Sequence, residues 1–172
     1  MGEVRSRNVR LPVAVAAVAC AFAMSGCADS QDAALTKASA ACAVPLSLAV
    51  DPDFDFPDKA QVSEWQAMAE RAADTAAEAA VLDQRWKGLS RALAKHAQTN
   101  AELADLWRSL IDADGGAGPG SDDQRLLAAM RSGGVTLDQM KTVASEAQAS
   151  LDAVEPLCRE VRAAERVVAG SH

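Results

Sequence analysis

The sequence has no tyrosine, and aromatic residues make up only 3% of its 172 residues. Positive charge is also scarce, with 17 basic side chains against 24 acidic ones for a formal net charge of −7. Nucleic-acid binding needs clustered lysine and arginine to neutralise phosphates, and aromatic rings to stack on unpaired bases. Both are missing, so no nucleic-acid partner is expected. Alternating β-branched runs joined by Asn-Gly or Asp-Gly turns are absent, which argues against a hairpin-built sheet. No GxSxG, HExxH or P-loop pattern occurs, and there are two histidines in all, so neither an enzyme activity nor a cofactor is expected. Ten glycines and six prolines are too few for a disordered tail of any size. No apolar run reaches the ~20 residues that a membrane-spanning helix requires.

What the sequence does have begins at its start. Arg5, Arg7 and Arg10 stand against a single Glu3, and Leu11 to Met24 is uncharged and almost wholly apolar. A basic segment followed by a short apolar one is the form of a signal peptide. Because Arg5 and Arg7 are not adjacent, the ordinary secretory route is expected rather than the twin-arginine one.

The segment ends in Met24-Ser25-Gly26-Cys27. This resembles the lipobox of bacterial lipoprotein precursors, an apolar residue and two small ones followed by cysteine, with Met24 where that family usually has leucine. The resemblance implies that the Cys27 thiolate takes up diacylglycerol as a thioether and that the chain is cut after Gly26. The mature protein would then be lipid-anchored at the extracytoplasmic face of the cell membrane. A competing site for ordinary cleavage follows Ala21-Phe22-Ala23, which would release a free secreted protein. Cysteine parity separates the two. Cys20 leaves with the signal either way; free secretion strands Cys27, Cys42 and Cys158, an odd number in an oxidising compartment. Lipidation uses Cys27 and leaves Cys42 and Cys158 as one disulfide pair. At ~0.8 kcal/mol per buried methylene, two acyl chains hold a protein stably where one does so only marginally.

Residues 27–172 contain 23 acidic and 14 basic side chains, which disfavours general attachment to anionic headgroups. Alanine, the best helix former, supplies 39 residues of the whole sequence. A first helix is expected from about Ser30 to Val44, with Ala34, Leu35, Ala38, Ala41 and Cys42 on one face. Pro45, Pro52 and Pro57 punctuate a connector rich in aspartate. From Lys59 the spacing becomes regular: Trp65, Met68, Ala72, Thr75, Ala79, Leu82, Trp86, Leu89, Leu93, His96, Asn100, Leu103, Trp107 and Leu110 alternate steps of three and four. Only three of those positions are polar, so the pattern is read as a heptad seam. A second seam, opened by a capping box at Thr136 and Gln139, runs through Leu137, Met140, Ala144, Ala147, Leu151, Val154, Cys158 and Val161. Pro156 should bend or loosen it. Between the seams lie the glycine-rich loop Asp114 to Gly120 and a short helix, Ser121 to Arg131, stopped by Gly133-Gly134.

The fold class expected is all-α, an antiparallel bundle of three to four helices built on a long hairpin and tied by one disulfide. Residues 1–26 form the removed signal peptide, 27–58 the lipidated segment with its short helix and connector, and 59–172 the hairpin on which that helix folds. The arm 59–112 is read as breaking near Thr99-Asn100, where Thr99 and Glu102 would cap a new helix; the alternative is one helix of ~80 Å. Cys42 and Cys158 are expected to meet at the base of the hairpin, near Lys59 and Val168.

Several residues invite a functional reading. Trp65, Trp86 and Trp107 lie at intervals of 21, either as a ladder of partner anchors or, the reading preferred, as core filler. His96 and Asn100, one turn apart in the seam, are where a bundle would hold a metal or haem. Zinc, however, needs three or four such ligands. Met68, Met130 and Met140 are read as core. Asp51, Asp53 and Asp55, and likewise Asp112 and Asp114, resemble the start of a calcium loop. They lack its glycine and glutamate, and are read as solvated. The function expected is that of a cell-envelope accessory module that contacts another envelope protein, with a carrier of haem, metal or lipid as the alternative.

Overall fold

A computed structural model describes residues 16–44, 56–114 and 122–170, with side chains from Asp29 onward in the first helix. The described residues form helices α1 (Ala16–Ala43), α2 (Lys59–Leu82), α3 (Lys87–Asp114), α4 (Asp122–Gly133) and α5 (Leu137–Ala169). A single 3-10 turn, Gln84–Trp86, joins α2 to α3, and no strand occurs among the described residues. The all-α antiparallel bundle expected from the alanine content and the heptad spacing is what forms.

The long arm breaks, but not where the polar residues sit. Thr99 is buried inside α3, and it caps nothing. Its hydroxyl instead donates back to the carbonyls of Lys95 and His96 at 3.3 and 3.0 Å. The break is at Asp83, which is extended (φ −144, ψ 118) and accepts a hydrogen bond from the Arg85 N–H at 2.9 Å. Such a side chain satisfies a donor that the new helix start would otherwise orphan. The three-four spacing runs on through this turn in the sequence, but the face that α2 buries is Val62, Ala69, Ala72, Ala76 and Ala79, so of the expected seam Trp65, Met68 and Thr75 are half-buried and Leu82 is exposed.

Contacts along the two helices confirm that they form a hairpin. Lys59 Nζ lies 2.5 Å from Asp112 Oδ1, and the Asn100 amide donates to the Trp65 carbonyl at 3.2 Å. The start of α2 is capped by a reciprocal box: the Asp58 carboxylate accepts from the Gln61 N–H and the Gln61 side chain from the Asp58 N–H, both at 2.8 Å. At the end away from the Asp83 turn, α4 lies over α3 and is stopped by Gly134, whose φ of 66° is open to glycine at no steric cost. The Val135 N–H then reaches the Met130 carbonyl at 3.1 Å, and Val135 is buried, the pairing of a Schellman stop. The expected Thr136–Gln139 box opens α5. That helix runs antiparallel to α3, with Ser150 beside His96 and Leu157 beside Gly88. It continues through Pro156, which lies on its exposed side.

α1 closes the bundle against α2 and α5. The sulfurs of Cys42 and Cys158 are 2.03 Å apart, as the cysteine parity implied. Val44, just past α1, borders Gln148 and Leu151, which precede Cys158 in α5, so α1 descends where α5 ascends. The disulfide is therefore nearer the Asp83 turn, and not beside Lys59 as expected. Lys59 sits at the opposite end, because α2 is a separate ascending helix.

Two apolar clusters make the core. Near the Asp83 turn, the alanines 34, 38 and 41 of α1 and 72, 76 and 79 of α2 pack with Trp86, Leu89, Leu93, Val154 and Val161. Their methyl groups leave room for helix axes to approach closely. The far cluster joins Val62, Leu103, Trp107, Leu110, Met130 and Ala147. The second seam is corrected at its start: Leu137 is 55% exposed and Ala144 is exposed. Among the described residues no helix covers those two positions, and Val143, Ala147 and Ser150 turn inward instead.

Candidate functional site

His96 and Asn100, the candidate ligands, occupy a polar layer between the two clusters. His96 is 4% exposed, and its Nδ1 lies 2.9 Å from Ser150 Oγ. The same hydroxyl is 2.8 Å from Thr99 Oγ1 and 2.7 Å from the Ala147 carbonyl. Asn100 is committed to the Trp65 backbone across the hairpin. These bonds tie α3 to α5 and α3 to α2 at one level. A slip of one turn would press the imidazole and hydroxyls against apolar neighbours without partners, so the layer fixes the helix register. Among the described residues, no group of three or more His, Cys, Asp or Glu is placed to hold a metal.

Replacing Ser150 by alanine should therefore be costly for so small a change. It removes the atom shared by His96 and Thr99 and leaves buried polar groups short of a partner, at a cost of about 1–3 kcal/mol. Urea unfolding should show the midpoint falling with an unchanged slope; an unmoved midpoint would mean that the layer contributes no stability.

The tryptophans do not form a ladder, because the Asp83 turn puts Trp65 on one arm of the hairpin and Trp107 on the other. Trp86 is 5% and Trp107 8% exposed, while Trp65 is half-buried against the far cluster. Phe56 meets Trp107 edge-on at 5.9 Å, and the Arg85 guanidinium lies 4.6 Å over the Trp86 ring. All three serve as core, as do Met130 and Met140 in the far cluster. Met68 is half-buried.

Asp51, Asp53 and Asp55 lie outside the described residues. Asp112 pairs with Lys59, and Asp114 with Arg125 at 2.8 Å. The hydrogen bond to Asp114 is the largest cause raising the Arg125 pKa above its ordinary value, helped by Asp122. The same guanidinium sits 5.0 Å over the Phe56 ring, so it clamps α3, α4 and the residues entering α2. These acids are structural partners.

The feature that sequence reading missed is a groove of about 580 Å³ between α3 and the start of α5. Leu106 and Val143 contribute its apolar lining, and Glu102, Asp105 and Asp138 its acidic one. The only signal for it was the run of acids in phase with Leu106, which looks the same as any solvated helix face. A second cleft, of about 360 Å³, lies beside the disulfide, lined by Cys42, Val44, Leu151 and Glu155 among others.

The Cys27 side chain falls outside the described residues, although the backbone of α1 runs through that position. No helix among the described residues is long and apolar enough to cross a membrane. No family model, curated protein or solved structure matches the chain.

Proposed function

We propose that this protein is a lipid-anchored module of the cell envelope, held at the extracytoplasmic face of the membrane by diacylglycerol on Cys27. It works there through protein contact rather than catalysis. The observation that carries the anchoring is the pairing of Cys42 with Cys158. It uses both cysteines of the folded body and leaves Cys27 of the Met24-Ser25-Gly26-Cys27 motif as the one with another purpose.

The contact surface is the groove between α3 and α5. An apolar lining edged by Glu102, Asp105 and Asp138 suits a basic amphipathic segment of a partner, whose apolar side chains would cover Leu106 and Val143. Complementary charge at such an edge governs the rate of encounter and the choice of partner more than it governs affinity.

A photo-crosslinking residue at position 106 should trap one envelope protein reproducibly, and the same residue at Ala77, on the exposed side of α2, should not. Charge reversal by Glu102→Lys with Asp138→Lys should abolish the adduct while leaving the helical circular dichroism intact. Equal trapping from both positions, or an adduct indifferent to the reversal, would contradict this assignment.

A further inference from the structure

We propose that the end of the bundle carrying the Asp83 turn seats on the membrane surface, with Val81, Leu82, Val167 and Val168 resting at the headgroup boundary. The inference rests on the lipid anchoring of Cys27 and adds an orientation to it.

Four large aliphatic side chains are exposed at that end: Val81 at 85%, Val167 at 73%, Leu82 at 39% and Val168 at 37%. They come from two helices far apart in sequence. Val81 and Leu82 close α2 where the hairpin turns. Val167 and Val168 lie beyond Ala164, the last residue of α5 packed on the nearby apolar cluster. Of the six large aliphatic side chains exposed among the described residues, these four gather at the turn pole, while Leu127 and Leu137 lie singly toward the other; the gathered group calls for an apolar cover.

The course of α1 identifies the cover. It descends from this pole, the first buried residue among its described side chains is Ala34, and its helix is continuous upstream through position 27. At 1.5 Å per residue, Cys27 stands ~10 Å above the level of Ala34 along the same axis. The end of α5 projects toward that level too. A thioether-linked lipid at Cys27 would thus draw these four side chains to the bilayer, where apolar groups settle ~5–10 Å into the boundary between headgroups and acyl chains.

The charge distribution agrees with this. Residues 29–37, 74–91 and 155–170, around the turn pole, carry 7 basic and 8 acidic side chains. Residues 56–71, 95–114 and 122–152, toward the other pole, carry 7 and 12. Seating the turn pole on an anionic surface keeps the more acidic half beyond a Debye length of ~8 Å from it. Exposed Lys87 and Arg166 lie near the aliphatic groups, where long basic side chains can reach headgroups. The α3–α5 groove then faces outward.

The test uses the full chain, purified from membranes with its lipid verified by mass and reconstituted in phosphatidylglycerol–phosphatidylethanolamine vesicles containing brominated acyl chains. Two variants each add one tryptophan, Val167→Trp at the turn pole and Leu127→Trp, exposed on α4 at the other. The added emission of Val167→Trp should be lost on quenching and that of Leu127→Trp retained. A lipidated chain with Val167→Trp unquenched, or with both variants quenched alike, overturns the seating and leaves the anchor standing. Self-association through the turn pole without quenching overturns it as well. A chain with no lipid on Cys27 overturns the anchor and the seating together.

Discussion

Replacing Cys42 and Cys158 together by serine should lower the unfolding free energy by about 4–5 kcal/mol, the largest effect expected of any change to this protein. The bridge spans 116 positions. In the chain-entropy account, closing a loop of about 100 residues costs the unfolded state ~4.7 kcal/mol. The native state cannot recover this through α1, whose contacts are mostly alanine methyls (Ala34, Ala38 and Ala41) and the single Leu35. Each methyl removed from water contributes little beside a leucine or tryptophan. At ~2–4 °C per kcal/mol for a domain of this size, the melting midpoint should fall by roughly 10–15 °C. Reductant should shift the parent protein to the same value and leave the double variant unchanged. Hydrogen exchange should show α1 opening before α3 and α5. A midpoint shift below about 2 °C would mean that α1 is held by its packing alone.

Trp107→Ala should cost about 3–5 kcal/mol, the range for truncating a large buried side chain. Trp107 is 8% exposed, sits with Leu103 and Leu110 in the far cluster, and receives the edge of Phe56. Its removal empties the centre of that cluster and frees the residues that lead into the Asp58 cap. Urea unfolding is the measurement. The size of the change separates the two readings of the tryptophans, because a partner anchor would lose binding with stability nearly intact. Loss of partner crosslinking at an unchanged urea midpoint would contradict the core assignment of Trp107.

Much of this architecture is legible before folding is considered. Helix class, the inward faces of α1 and α3, the Thr136–Gln139 box and the glycine stop after α4 follow from periodicity and local hydrogen bonding, both of which are properties of short segments. The hairpin turn at Asp83 is not legible in the same way. Leu82 and Trp86 keep the spacing across it, so a pattern of threes and fours cannot tell a helix that continues from one that folds back on itself. Asp83 is the one local signal, a good N-cap residue between two apolar positions, and Asp58 with Gln61 forms a second capping box at the start of α2. Thr99 and Asn100 read as a break, and His96 and Asn100 as candidate ligands, because they are polar in an apolar seam. Their partners, Ser150 and the Trp65 carbonyl, come from other helices, and only tertiary register reveals them.

The groove was hidden for a related reason. Leu137 and Ala144 fit the periodicity of the α5 seam, but among the described residues no helix covers them. Periodicity reports which face could be buried, whereas packing decides how much of it is. The acids that edge the groove are ordinary helix-surface residues until α3 and the start of α5 come together and make them the border of a concave surface.

Intact-mass measurement of the protein extracted from membranes tests the account most directly. The account predicts a chain that begins at Cys27 and carries diacylglycerol on its sulfur, with Cys42 and Cys158 open to alkylation only after reduction. An unmodified amino terminus at Met24, or alkylation of the two later thiols without reductant, would contradict it.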